Sequence, residues 1–186
     1  MKKFSTINPK EKLHKEEILF KGDDFKILQF EEWPIIYKND FVICVPLLME
    51  ENKFIIRQEY IPSYKYKEGQ QMHLACVGGR IERGETPKAA IIRELQEEAG
   101  LILSDDFNID FDKPLFVSKD STQKFYPCIL PLTSKDYDEI PIHGDGSLLE
   151  KMSQTSKVDI RYINSMIPSD VLTEFMLLKL RSYLNM

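Results

Sequence analysis

GRIERGETPKAAIIRELQEEAGL, Gly79 to Leu101, is the stretch on which the reading of this chain turns. Thr86 reads as an N-cap, Pro87 as the first helical residue and Gly100 as a left-handed stop, so a helix is expected between them. Ile91, Ile92, Leu95 and Ala99 mark its buried side. At about 100° per residue, Glu94, Glu97 and Glu98 fall within about 100° of one another, and they are expected to face away from Ile91 and Leu95. They crowd the final turns, where the helix carries about half a negative charge and each carboxylate loses roughly 0.3–1 kcal/mol. Glu94 and Glu98, four apart, add a like-charge repulsion of a few tenths of a kcal/mol, and only Arg93, four before Glu97, offers relief. A solvated acidic face accounts for the acids but not for their place. A bound divalent cation accounts for both, since hard oxygens on one rigid face suit magnesium and its charge outweighs the repulsion.

On the N-terminal side of this stretch the chain reads as strands. EEILF and FKILQFEEW, separated by KGDD, form two short ones, and FVICVPLLM with KFIIRQEYI forms a buried hairpin across EEN. Pro46 inside the first strand of that hairpin points to an edge or a bulge. SYKYKEGQQ is expected as a loop and MHLACVG as a strand that runs into GGRIERGE. Beyond the helix, LFVS, FYPCILPL and KVDIRYI are strand candidates, and SDVLTEFMLLKLRSYL closes the chain as an amphipathic helix capped by Ser169. The class is α/β with a late helix, divided into an extension of short strands over 1–39 and a main domain over 40–186.

Composition narrows the function. With 25 basic and 30 acidic residues the net charge is −5, which argues against holding polyanionic nucleic acid by bulk electrostatics. Cys44, Cys76 and Cys128 sit singly in apolar runs and read as reduced core residues. The N-terminus has positive charge but no apolar stretch behind it, and no run approaches a membrane span, so a cytoplasmic protein without membrane partners is expected.

From Gly79 the sequence fits G-x5-E-x7-R-E-U-x-E-E-x-G-U, U being aliphatic, with Gly79, Glu85, Arg93, Glu94, Glu97, Glu98 and Gly100 in place and Leu95 and Leu101 as the aliphatic pair. At average residue usage seven such matches arise by chance on the order of once in a million chains this long. The chain thus resembles the Nudix hydrolases. The resemblance implies an α/β/α sandwich with a mixed sheet from about residue 40 onward, and hydrolysis of a diphosphate linked to some group X with Mg2+ or Mn2+ as cofactor. It implies that Glu94, Glu97 and Glu98 hold the metal together with the carbonyl of Gly78. Arg93 would orient the glutamates, and Glu85 would brace the loop against the helix or contact an outer water. The glycines Gly78 and Gly79 suit a close backbone approach.

The N-terminal strand layer, and FIIRQEYIP with Arg57, Gln58 and Pro62 in register with v-x-Q-Y-R-Y-P, resemble the Nudix group that acts on ADP-ribose and nucleoside diphosphate sugars. That group implies a homodimer built through the layer and a small nucleoside diphosphate as substrate. The chain departs from it at Tyr60, where the group has arginine, and at Ala75, where it has a further acid. Arg57, Tyr60 and Gly79 are expected at the substrate. Lys65, in the alternating YKYK of Tyr64–Lys67, could steady a phosphate, and Trp33 could line the base pocket, although an exposed loop and ordinary packing are the plainer accounts. A catalytic base is sought in DYDEIPIHGDGSLLE, with Glu150 first and Glu139 second, and His143 as a phosphate contact. Alternatives are a Nudix-fold nucleotide sensor without turnover, and an enzyme acting on dinucleotides or RNA 5′ ends.

Overall fold

The computed structural model describes residues 16–23, 25–69, 72–144, 146, 151–168 and 170–186. The chain divides into two units, Met1–Asn39 with Phe116–Gln123, and Asp40–Leu115 with Lys124–Met186.

The first unit is an antiparallel sheet ordered β1-β2-β3: β1 (Glu16–Lys21), β2 (Phe25–Phe30) and β3 (Trp33–Lys38). Sequence patterning anticipated two strands here, and β3 is the addition. Pro34 interrupts its apolar run, yet an edge strand tolerates a residue without an N–H. Residues 120–122 lie along β3, with Ile36 donating to the Asp120 carbonyl at 2.7 Å and accepting from Thr122 at 2.9 Å. Among the described residues of this unit Leu28 is the buried apolar one, while Ile18, Leu19, Phe20 and Trp33 are exposed.

The second unit is built on a mixed sheet whose main path is β12-β5-β4-β10: β4 (Phe41–Leu48), β5 (Lys53–Tyr60), β10 (Lys124–Leu132) and β12 (Gln154–Asp159). β6 (Met72–Ala75) pairs with β5 and β7 (Val77–Arg80) with β4, so the expected single strand MHLACVG is broken at Cys76. β8 (Leu101–Leu103) and β11 (Tyr137–Glu139) make a separate antiparallel ribbon, and the expected strand LFVS shortens to β9 (Leu115–Phe116). β4 runs parallel to β10 and is nearly all buried, as a strand covered on both faces must be. Pro46 therefore sits in a central strand and not at an edge. It is accommodated because β4 changes its antiparallel partner there: Phe41–Cys44 pair with β7 and Leu47–Leu48 with β5.

Strand alternation sorts the core into two layers. Val42, Cys44, Ile55, Val77, Cys128 and Leu130 pack with Ala90 and Ile91 of α2 (Pro87–Glu94) and with Leu95 just after it. Ile43, Val45, Leu47, Phe54 and Ile56 pack with Met176, Leu177 and Leu180 of α3 (Val171–Tyr183). The architecture is an α/β/α sandwich with a mixed sheet, and the first unit is the antiparallel strand layer that precedes it in the chain. Asp170, which accepts from Thr173 N–H, caps α3; Ser169, the expected cap, lies outside the described residues. KVDIRYI divides into β12 and a 3-10 turn, Ile160–Ser165. The expected loop SYKYKEGQQ contains α1 (Pro62–Glu68), begun by Pro62 and ended by Gly69 in the left-handed region. The three cysteines are free and buried, and burial pushes the Cys44 and Cys76 thiols well up. Among the described residues no helix is long and apolar enough to cross a membrane.

Candidate metal and diphosphate site

Alternation along β5 and β7 aims particular residues at α2. Arg57 follows Ile55 on the α2 face, and Gly79 follows Val77 on the same face. Across the sheet the row Thr155 (β12), Arg57 (β5), Ala75 (β6) is in register. Above it α2 changes form. Thr86 caps its start by accepting from Ala89 N–H, but Leu95–Ala99 is a π turn that ends at Gly100, φ 64°, whose N–H bonds the Leu95 carbonyl. Such i→i+5 turns recur at functional sites.

This geometry corrects the expected sidedness of the helix. Glu94 and Glu98 are only 7% and 5% exposed, while Ile92, expected inside, is 36% exposed. Two causes are visible. Seven residues apart, Ile91 and Glu98 come within about 20° of each other on a helical wheel, so Glu98 shares the buried side, and the glycines of β7 leave room for carboxylates between sheet and helix. A Cβ at Gly79 would fall on the Glu94 carboxylate, and one at Gly78 on the Val42 carbonyl.

Every box residue is held. Arg93 Nη1 donates to Glu94 at 2.6 Å and to Glu97 at 3.2 Å, and its other nitrogens reach both oxygens of Glu85 at 3.2 Å and the Arg80 carbonyl at 3.0 Å. Glu85 also accepts from Glu82 N–H at 2.9 Å, which closes the loop before α2. The Arg93 bond holds the Glu85 carboxyl below its usual range, and although burial pulls the Arg93 guanidinium down, Glu85 and Glu94 push it up overall. Glu98 pairs with Arg57, itself 2% exposed and 2.9 Å from Glu59, and accepts from Gly78 N–H at 2.9 Å. Buried charges need such partners, because desolvating an unpaired ion costs several kcal/mol.

Gly78, Gly79, Arg93, Glu94, Glu97 and Glu98 line one cleft of ≈ 290 Å³. Among the described residues no three acidic or other ligating side chains converge tightly enough to enclose an ion as they stand, since the glutamates face the guanidiniums of Arg57 and Arg93. The donor set still suits a hard dication: the residues of three carboxylates line one cleft beside Gly78 and Gly79, with the Gly79 cradle fitted to Glu94.

The other expected site residues are dispersed. Tyr60 ends β5 opposite Met72 and is half-buried. Tyr64 lines a cavity of ≈ 240 Å³ with Phe41, Glu59 and Asp170, and Gly78 borders that cavity too. Lys65 lies on α1, its ammonium 3.3 Å from the Gly69 carbonyl. Trp33 belongs to the first unit and is 75% exposed. Glu139 is bonded to Lys157 at 2.6 Å, His143 is exposed, and Glu150 lies outside the described residues. Thr155, which sequence reasoning passed over, donates its hydroxyl to the Glu98 carbonyl at 2.6 Å. Alternation within KVDIRYI gave no pointer to it, since that run begins two residues later.

The NUDIX domain family model matches residues 38–136. Over 51 residues, 25% of this chain, the sequence is 43% identical to the 8-oxo-dGTP diphosphatase of Escherichia coli (strain K12). The chain spans 40% of the length of that curated relative. The crystal structure of an ADP compounds hydrolase superposes with a TM-score of 0.64 at 19% identity, covering 94% of this chain and 97% of that one.

Proposed function

The chain belongs to the Nudix family, and from that premise we propose that it hydrolyses a nucleoside diphosphate linked to another moiety, ADP-ribose or a related nucleotide sugar, with Mg2+ or Mn2+. One observation carries the reading: Glu94, Glu97 and Glu98 share a cleft with the backbone of Gly78 and Gly79, two of them buried at the cost of enlisting arginines. In the proposal those glutamates and the Gly78 carbonyl hold the cation. Magnesium or manganese, when bound, supplies positive charge against the diphosphate and acidifies water. Arg93 orients Glu94 and Glu97, and Glu85 fixes Arg93 from behind. Arg57 enters as the partner of Glu98, with Tyr60, Lys65, Trp33 and Gly79 as candidate substrate contacts.

Water adds to one phosphorus and the bridging P–O bond breaks, so ADP-ribose would yield AMP and ribose 5-phosphate. Glu150 is the proposed acceptor of the water's proton, because Glu139 is already bonded to Lys157. The likeness to an ADP compounds hydrolase and the strand FIIRQEYIP favour this substrate class. A homodimer through the β1–β3 layer belongs to the same proposal.

The stretch shared with the 8-oxo-dGTP diphosphatase favours a second reading, a nucleoside triphosphate as substrate. Product analysis separates them. ADP-ribose, nucleotide sugars, dinucleotides and nucleoside triphosphates are incubated in parallel with Mg2+. The first reading requires AMP and ribose 5-phosphate from ADP-ribose; a nucleoside monophosphate and pyrophosphate from triphosphates alone would replace it with the second. Loss of activity across the whole panel would leave a nucleotide sensor.

A further inference from the structure

The last carbonyls of any helix lack partners within it. Here they are met from outside: Glu97 O accepts from Gly144 N–H at 3.1 Å, Gly100 O from Ile140 N–H at 2.8 Å, and Glu98 O from the Thr155 hydroxyl at 2.6 Å. The Glu98 contact differs from the other two, for its donor is a side chain fixed on the sheet. Thr155 is the register partner of Arg57, whose guanidinium meets the carboxylate of the same glutamate, while Gly78 N–H on β7 holds that carboxylate's other oxygen. Glu98 is thus gripped at its backbone by β12 and at its side chain by β5 and β7. A β-branched threonine has few rotamers, so its hydroxyl is set in place before the contact forms. Its donated hydrogen also opposes the negative end of the helix beneath the glutamates.

We propose that Thr155 is a positioning residue which, through the Glu98 carbonyl, fixes the π turn so that Glu98 and Glu97 present their carboxylates to one cation. The inference rests on the proposed metal-binding role of those glutamates. In this role Thr155 acts through the Glu98 backbone and needs no contact with cation or substrate. Its task is one that supporting partners of metal ligands perform elsewhere, where their loss typically costs about 10–100-fold in affinity.

The test titrates Mn2+ alone into the folded, nucleotide-free protein by calorimetry, with melting followed separately in EDTA. Thr155→Val keeps the shape and removes the donor, and should weaken Mn2+ binding by about 10–100-fold. Thr155→Ser keeps the hydroxyl and should bind as the parent does. If Thr155→Val melts lower in EDTA but binds Mn2+ with parental affinity, the residue is merely structural and the proposal is overturned. It is equally overturned if Thr155→Ser loses as much affinity as valine, since packing of the methyl would then be responsible. A parent that binds no Mn2+ overturns the metal reading itself, and this inference with it, which distinguishes the two failures.

Discussion

Gly79→Ala is the most informative single substitution, because the backbone at Gly79 is not in the left-handed region and asks nothing of glycine. What forbids a side chain is the Glu94 carboxylate, onto which the new Cβ would fall. Glu94 is 7% exposed and bonded to Arg93 at 2.6 Å, so it cannot swing into water without forfeiting that bond. Losing a charged hydrogen bond costs about 1.5–3 kcal/mol, and crowding a packed site costs about 1–3 kcal/mol. A total of about 2.5–6 kcal/mol, at roughly 2–4 °C per kcal/mol for a chain of this size, lowers the melting temperature by about 5–24 °C. The assay is a double-mutant cycle in EDTA with Glu94→Ala, read by denaturant unfolding. In the Glu94→Ala background the methyl has room, and glycine-to-alanine there is neutral or gains about 0.4–1 kcal/mol by stiffening the unfolded chain. The coupling between the two positions should therefore exceed about 1.5 kcal/mol. An equal cost of Gly79→Ala in both backgrounds would refute the claim that the two residues share one space.

Glu85 supplies a pH test. Its folded pKa lies below the ordinary 4.5, so the stability it contributes is present above that value and is lost as pH falls through the folded one. Glu85→Gln should be less stable than the parent at pH 7, and the gap should close on acidification; a gap unchanged down to pH about 3 contradicts the Arg93 pairing as its cause. Asp170→Ala removes the cap of α3 and should cost about 1 kcal/mol in unfolding, with no change in Mn2+ affinity. A loss below a few tenths of a kcal/mol would show that the Thr173 N–H finds another acceptor.

What the sequence disclosed follows the range of the interactions involved. Arg93, Glu85 and the three glutamates lie within fourteen residues of chain, and their spacing alone brings them to one helix and the loop before it. Gly100 was legible as a stop for the same reason. The contacts of Glu98 with Arg57 and Thr155 bridge distant strands and depend on the registers of β5 and β12, which periodicity cannot supply. The π turn was hidden because an ideal wheel presumes uniform α geometry, whereas the burial of Glu94 and Glu98 was hidden for another reason: charge is expected to face water, although the wheel sets Glu98 within about 20° of Ile91. Pro46 misled for a different reason: proline excludes a ladder hydrogen bond, but only at its own position, and β4 happens to exchange partners there. YKYK alternates like a strand yet follows Pro62, whose fixed φ begins a helix as readily as it ends a strand.

The question raised by acidic residues at an unfavourable helix end is answered in the structure by Arg57 and Arg93, and in the proposed function the same carboxylates take a divalent cation. ADP-ribose turnover by the parent and by Glu98→Gln, each with Mg2+ and with EDTA, tests that claim most directly. The account predicts AMP from the parent only with Mg2+, and a fall of at least about 100-fold in Glu98→Gln with its fold retained. Turnover that survives EDTA, or that Glu98→Gln leaves at the parental rate, would contradict it.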